Sequence, residues 1–313
     1  MKIQTQWSNS LLSLRNMHEI IAEKLKGKKV AYLDYPVYFN IGDLLIYLGT
    51  EKFFKDYGVN VCYRAEASDV RLNKVEDCDV ILFQGGGNFG DLYNRVQDMR
   101  ERIIKGFPNK EIICLPQSIH FNNEDEKVRA SKVFNGHPNF TFFVRDNESF
   151  EIAKSFSNQV VLMPDMAHSL HPLIDKREVV TNLNETIRIL NQRRNDNEAK
   201  KRNEKIIKMS FDWDDMITYE DRMVKKIHNI KGKLKFEQNN MSNFWYKHSN
   251  IIAKRAIDYF LQHDLVYTDR LHGLILSALL GRNIIVYDNS YGKNSRYYKL
   301  WLKDIDNIKF NNE

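Results

Sequence analysis

The sequence predicts an α/β protein: a parallel, doubly wound sheet followed by a second, smaller α/β unit. Three observations predict it. Apolar runs of strand length alternate with helix-length segments from residue 29 to residue 163. Polar residues recur where the apolar runs stop: Asp43, Asp91, Gln117, His120, Arg145, Asp165 and His168. In an open α/β sheet those stops share one edge, which is where ligands bind. The rhythm then resumes over residues 265–303. A chain of 313 residues suits two units on a prior of roughly 150 residues each. The expected units are residues 1–170 and 171–313, with the linker near 165–180.

Leu11, Leu12, Leu14, Met17, Ile20, Ile21 and Leu25 recur at helical spacing and predict a helix over 11–26, ended by Gly27. Residues 29–34 are a strand. The loop after it delivers Asn40-Ile41-Gly42-Asp43 to a helix over 44–57, where Asp43 either caps the helix or meets a ligand. Strands follow at 59–63 and 79–84. The second runs into Gly85-Gly86-Gly87-Asn88-Phe89-Gly90-Asp91. Gly85, Gly87 and Gly90 spell a dinucleotide fingerprint, but two strands precede it and Glu111, about 20 residues on, opens a strand. The glycines therefore support close backbone approach to a ligand, with Gly86, Gly87 and Asn88 as contacts, and not a nicotinamide cofactor. Further strands are expected at 112–115, 140–144 and 160–163, with helices at 124–134 and 148–156, the latter capped by Asp146 or Asn147. Order weakens over 175–205. Strands are then expected at 188–191 and 205–211, and helices at 219–230 and 250–262.

The stretch from Val266 to Gly281 is the most informative. A strand over 265–267 breaks at Thr268-Asp269 and becomes an apolar helix. Asp269 is expected as its N-cap, with Arg270, Leu271 and His272 as the first helical residues. A cation and an imidazole then sit beside unpaired N–H donors at the positive end of a helix dipole, a corner suited to an anion. A strand at 283–287, the loop Asp288-Asn289-Ser290-Tyr291-Gly292-Lys293 and a helix over 295–303 complete the chain.

Hydrophobic residues make up 42%, enough for real cores, and the net charge of +6 is too mild to indicate nucleic acid. Arg193-Arg194 and Lys200-Lys201-Arg202 are expected on a solvated surface. Cys62, Cys78 and Cys114 lack zinc spacing and are expected as buried thiols in a reducing compartment. The first residues lack a signal-peptide core, and no run approaches 18 apolar residues. The expectation is a cytoplasmic protein, with peripheral contact at the inner membrane face left open.

Seven segments in order resemble the polysaccharide pyruvyl transferase family: Asn40-Ile41-Gly42-Asp43, the glycine segment from Gln84 to Asp91, Leu115-Pro116-Gln117-Ser118, Val144-Arg145-Asp146-Asn147-Glu148-Ser149, Pro164-Asp165-Met166-Ala167, Thr268-Asp269-Arg270-Leu271-His272-Gly273 and the loop ending in Lys293. The resemblance implies two Rossmann-like domains in a GT-B-like arrangement, with the active cleft between them. It implies transfer of pyruvate from phosphoenolpyruvate, as a ketal, to a sugar of an exopolysaccharide or other cell-surface glycan precursor. The acceptor is either lipid-linked or a free repeat unit. Arg270 and His272 match the catalytic Arg-Leu-His, Arg145 a second donor-binding arginine, and Asp91 and Asp43 acidic positions near the cleft.

The chemistry fits these residue types. A phosphate and a carboxylate on one donor suit two forked cations, Arg145 and Arg270, with Lys293 adding charge. His272 is assigned as general acid, and Asp91 as base or sugar-hydroxyl acceptor. Gln117, at a strand end, is a further binding candidate. No metal and no cofactor beyond the phosphoenolpyruvate donor are required. The rival readings are a GT-B-type glycosyltransferase using a nucleotide sugar and a glycan-binding scaffold without catalysis.

Overall fold

The computed structural model describes residues 2–176, 187–195, 210–233, 238–289 and 292–311. Seven strands form the first sheet: β1 (Lys29–Leu33), β2 (Asn60–Ala65), β3 (Val80–Phe83), β4 (Gly86–Phe89), β5 (Glu111–Ile119), β6 (Phe140–Val144) and β7 (Gln159–Leu162). Their order is β2-β1-β3-β5-β6-β7, with β4 paired to β5, and every pairing is parallel. The chain leaves β1 for β2 on one side and returns to β3 on the other. That reversal opens a crevice at the C-terminal ends of β1 and β3. The second sheet holds β8 (Ile189–Gln192), β9 (Leu265–Thr268), β10 (Asn283–Val286) and β11 (Ile308–Phe310) in the order β11-β10-β9-β8, again parallel.

Before and within the first sheet run α1 (Lys2–Asn16), α2 (Glu19–Leu25), α3 (Ile41–Asp56), α4 (Leu72–Glu76), α5 (Asn94–Gly106), α6 (Glu124–Asn135) and α7 (Asn147–Ala153). With the second sheet come α8 (Tyr219–Lys233), α9 (Gln238–Leu261), α10 (Leu271–Leu279) and α11 (Lys293–Tyr297), which passes into a π turn over Tyr298–Leu302.

Several expectations need correction. The single helix over 11–26 is two helices broken before Glu19, because His18 is drawn inward between Ser169 and the Pro164 carbonyl. The helix expected at 44–57 starts at Ile41, capped by Asn40, whose Oδ1 accepts from Gly42 N at 3.0 Å. Asp43 is thereby released from capping. The glycine segment is itself a strand, β4, and α5 was not anticipated. Pro116 sits inside β5, where a ladder N–H is normally needed. It is tolerated because β5 changes partner there, pairing β3 up to Cys114 and β4 from Gln117. Cys62 and Cys78 come together as a disulfide pair, so the expectation of buried free thiols holds for Cys114 alone. Most of the expected 205–211 strand, the Lys200-Lys201-Arg202 block and the Ser290-Tyr291 part of the last loop lie outside the described residues.

One face of the first sheet is closed by an aromatic cluster of Phe89, Phe134, Phe140, Phe142 and Phe156. On the other face the core is continuous with that of the second sheet, joining Leu45 and Tyr47 of α3 to Trp245, Val266 and Leu276. Three of the four tryptophans fasten distant segments by indole donors. Trp7 Nε1 donates to Ala278 O of α10 at 2.8 Å, Trp245 Nε1 to Pro36 O at 2.5 Å and Trp301 Nε1 to Arg145 O at 2.8 Å. Such pairing lets a large, mostly apolar side chain be buried without stranding its N–H. α1 thus packs against a helix of the second sheet.

Candidate active site

A cleft with a cavity of about 80 Å³ opens between the C-terminal ends of the two sheets. From the first-sheet side it is lined by Tyr38, Asn40, Asp43, Gly87, Asn88, Tyr93 and Arg145. From the second it is lined by Arg194, Trp213, Arg270, Leu271, His272, Lys293 and Asn294. Of the ten sequence candidates, seven meet here: Asp43, Gly87, Asn88, Arg145, Arg270, His272 and Lys293.

Asp165 is the hinge of this arrangement. It follows β7 and caps the short 3-10 turn Met166–Leu170, its Oδ1 accepting from Ala167 N at 2.9 Å. Its Oδ2 accepts from Arg145 Nη1 at 2.5 Å and from His272 Nε2 at 3.4 Å. Burial by itself pushes the Asp165 carboxyl up. The His272 imidazole, its hydrogen bond, Arg145 and the Ala167 N–H outweigh burial and hold the group well below the usual carboxylate range. A fixed anion therefore orients both the imidazole and the guanidinium. Arg145 Nε also donates to Ser118 Oγ at 2.9 Å, and its Nη2 faces Gly87, where a Cβ would lie 3.1 Å away.

His272 is pressed against α3. A Cβ on Gly42 would stand 2.6 Å from His272 Nδ1, so only glycine leaves room for the ring. The next residue of α3 is Asp43. Burial pushes its carboxyl up, against the opposing pull of His272, Arg145 and the Tyr38 hydroxyl. Tyr38 is itself pushed well above the ordinary phenol value, by burial and by Asp43. Two carboxylates thus flank one imidazole, one held as an anion and one whose proton affinity is raised.

On the second-sheet side α10 begins one residue later than expected. Arg270 is its N-cap residue and supplies no side-chain cap, while Asp269 Oδ1 accepts from Arg194 N at 2.9 Å. The Arg270 guanidinium forms a fork on Asp212, with Nε donating to Oδ1 at 2.8 Å and Nη2 paired to Oδ2. The α10 N-terminus is therefore open toward the cleft, with a cation beside it. Gly273 is forced by proximity: a Cβ there would lie 1.9 Å from Gln192 Oε1.

Three candidates are placed elsewhere. Asp91 binds the turn before α6, its carboxylate accepting from Asn122 N and Asn123 N at 2.8–2.9 Å, and it does not line the cleft. Gln117 lies a layer below, donating to Gln84 O at 2.8 Å and Asn88 Oδ1 at 3.1 Å. Gly86, at φ +130°, shapes the floor next to Asp43 without lining the cleft. Arg194 lines the cleft and Arg193 is buried over the Tyr287 ring at 4.0 Å, so neither lies on the solvated surface expected for them. Sequence reasoning also missed Asp212, Tyr93 and Trp213. Each is an ordinary loop or terminus residue with no spacing signal, and only the meeting of the two sheets selects it.

Parallel sheets meeting at a polar crevice, with an imidazole, two carboxylates and several cations gathered in it, define an α/β enzyme that handles an anionic substrate. The chain belongs to the polysaccharide pyruvyl transferase family, whose model matches residues 40–291. It is 35% identical over 309 residues to the Bacillus subtilis protein named "Putative pyruvyl transferase EpsO", covering 96% of this chain and 94% of that one. It is 27% identical to "Pyruvyl transferase 1" of Schizosaccharomyces pombe, covering 88% of this chain and 70% of that one. A crystal structure of an uncharacterised Klebsiella pneumoniae protein shares the fold, with a TM-score of 0.58 at 22% identity over 95% of this chain and 98% of that one. The protein is thus a polysaccharide pyruvyltransferase. Among the described residues no helix is long and apolar enough to cross a membrane.

Proposed function

We propose that the cleft transfers pyruvate from phosphoenolpyruvate to two hydroxyls of one sugar in a polysaccharide precursor, forming a ketal and releasing inorganic phosphate. The observation that carries this reading is the Asp165 carboxylate shared by His272 and Arg145 in a cleft also lined by Arg194, Arg270 and Lys293. The cations and the open α10 N-terminus suit the donor's phosphate and carboxylate. His272 delivers a proton to the donor's methylene carbon, which becomes the methyl group. Positive charge develops on the adjacent carbon and draws the first sugar hydroxyl. Asp43 takes the hydroxyl proton, a role suited to a carboxyl whose affinity for protons is raised. Attack by the second hydroxyl, whose proton returns to His272, expels phosphate, which leaves with the proton held by Asp43, and closes the ketal. Asp43 replaces Asp91 as the candidate base because Asp91 is committed to the Asn122 and Asn123 amides.

In this reading residues 1–170 and 171–313 act as the two halves of a GT-B-like arrangement. The enzyme works in the cytoplasm, where phosphoenolpyruvate is formed, on an acceptor carried at the inner membrane face or free. The family match gives nucleotide-sugar transfer no observation in its favour.

The test is phosphate release from phosphoenolpyruvate with a panel of sugar acceptors. The wild type should release phosphate only with acceptor. His272→Ala should lose on the order of 10²–10⁴-fold in turnover. Near-wild-type turnover in that variant would refute the acid assignment.

A further inference from the structure

A second, larger cavity of about 820 Å³ adjoins the cleft. Tyr38, Asn88 and Tyr93 line both, so the two are continuous. From there the cavity runs between the β2–α4 loop and the start of α5 to a wall formed by Lys225, His228 and Asn229 of α8. Its volume lies near the upper end of the ~300–1,000 Å³ range of small-molecule sites, room for more than one sugar ring, and the small donor is already provided for in the cleft.

Its chemistry differs from that of the cleft. The charged groups along it are largely matched within the protein: Arg64 forks on Glu51 at 2.8 and 2.9 Å, Arg95 pairs with Glu66 at 3.2 Å, and Asp34 is buried on Arg100 at 2.6 Å. Lys225 lies 5.2 Å above the Phe39 ring, and burial lowers its proton affinity. What the groove offers instead is amides, hydroxyls and aromatic rings. Tyr93 is 49% exposed at the junction with the cleft. His228 is 5% exposed, stacked on Phe244 at an interplanar angle of 18°, and its Nε2 has no hydrogen-bond partner among the described residues.

We infer that this groove binds a neutral oligosaccharide, several rings at a time, with the sugar at its Tyr93 end entering the cleft. The proposal rests on the pyruvyl-transfer reading only for what happens at that end. It makes the acceptor a preformed glycan chain and not a monosaccharide.

The experiment is saturation-transfer NMR of the full chain, without phosphoenolpyruvate, against neutral hexose and N-acetylhexosamine oligomers of increasing length. Affinity should rise from monosaccharide to longer oligomers. It should fall about 3–10-fold in Tyr93→Ala and in Asn229→Ala, the scale of one lost hydrogen bond or stacking contact; both side chains are exposed, so folding is spared. Asn229→Ala, which lies outside the cleft, should raise the acceptor KM and leave the phosphoenolpyruvate KM unchanged. Length-dependent binding without phosphate release in the donor assay would overturn the donor assignment and keep the groove. Binding no tighter than that of a monosaccharide, or an acceptor KM indifferent to chain length and to both variants, would overturn the groove.

Discussion

At the scale of the residue, small side chains decide as much as reactive ones. Gly42→Ala would by propensity strengthen α3 by about 1 kcal/mol. Its Cβ, however, would collide with the His272 ring at Nδ1, Cγ and Cβ. Turnover is expected to fall at least tenfold while the thermal midpoint stays close to wild type; kcat measured beside a melting curve checks both. A paired comparison separates the two carboxylates offered as base. Asp43→Asn should lower kcat on the order of 10²-fold. Asp91→Asn should leave kcat near wild type and cost about 1 kcal/mol of stability, as a weakened cap does. The opposite ranking in steady-state kinetics would restore Asp91 to the chemistry. Both residues stood out in sequence for the same reason, an acidic side chain after a strand and a glycine. Only their hydrogen-bond partners tell them apart.

At the scale of the element, the glycine strand β4 is held from beneath by one buried arginine. Arg100 of α5 is fully buried, pairs with Asp34 at 2.6 Å, and donates to Gln84 O and Asn88 Oδ1. Burial pushes the Asp34 carboxyl up to about 6 even with Arg100 beside it. Removing one partner of such a pair strands the other. Arg100→Leu is therefore expected to cost about 3–5 kcal/mol in urea unfolding and to weaken activity through Asn88. A loss below about 1 kcal/mol would show that the network is not what anchors β4. The apolar runs of β1, β3, β5 and β6 were legible because continuous strand-length hydrophobicity has few other outcomes. α5 was not legible: its inward face is built from Gln97, Arg100 and Glu101 as well as Met99, Ile103 and Ile104. Buried polar residues break the periodicity that marks a helix.

At the scale of the whole molecule, the junction of the two sheets stores a pH dependence. His18 is buried between Ser169 Oγ and Pro164 O, and His168 against the Tyr297 hydroxyl. Burial lowers His18 to about 4 and His168 to about 3. Both lie below the ordinary imidazole value of about 6.5. Once pH falls below that value the unfolded chain binds more protons than the folded one, so stability declines toward pH 4. Asp34, raised to about 6, works the other way over the same window and offsets one of the two histidines. His171, which burial also lowers to about 4, adds to the loss, so stability should fall between pH 6.5 and 4. Denaturant titrations across that range should record it, and His18→Gln should flatten the slope. A stability that is level or rising toward pH 4 would mean that the histidines are charged where they stand.

The sequence by itself determined the α/β class, the strand ends that carry polar residues, and seven of the cleft's groups, because local periodicity and chain punctuation are written residue by residue. It also determined the family, through short motifs whose order survives substitution elsewhere. Only the tertiary structure decided which of those polar strand ends converge. Asp165, Asp212 and Arg194 lie 20 to 107 residues from the side chains they serve or accompany in the cleft. A contact over that separation is set by how two sheets pack and by which buried charge needs a counter-charge, and neither leaves a local trace.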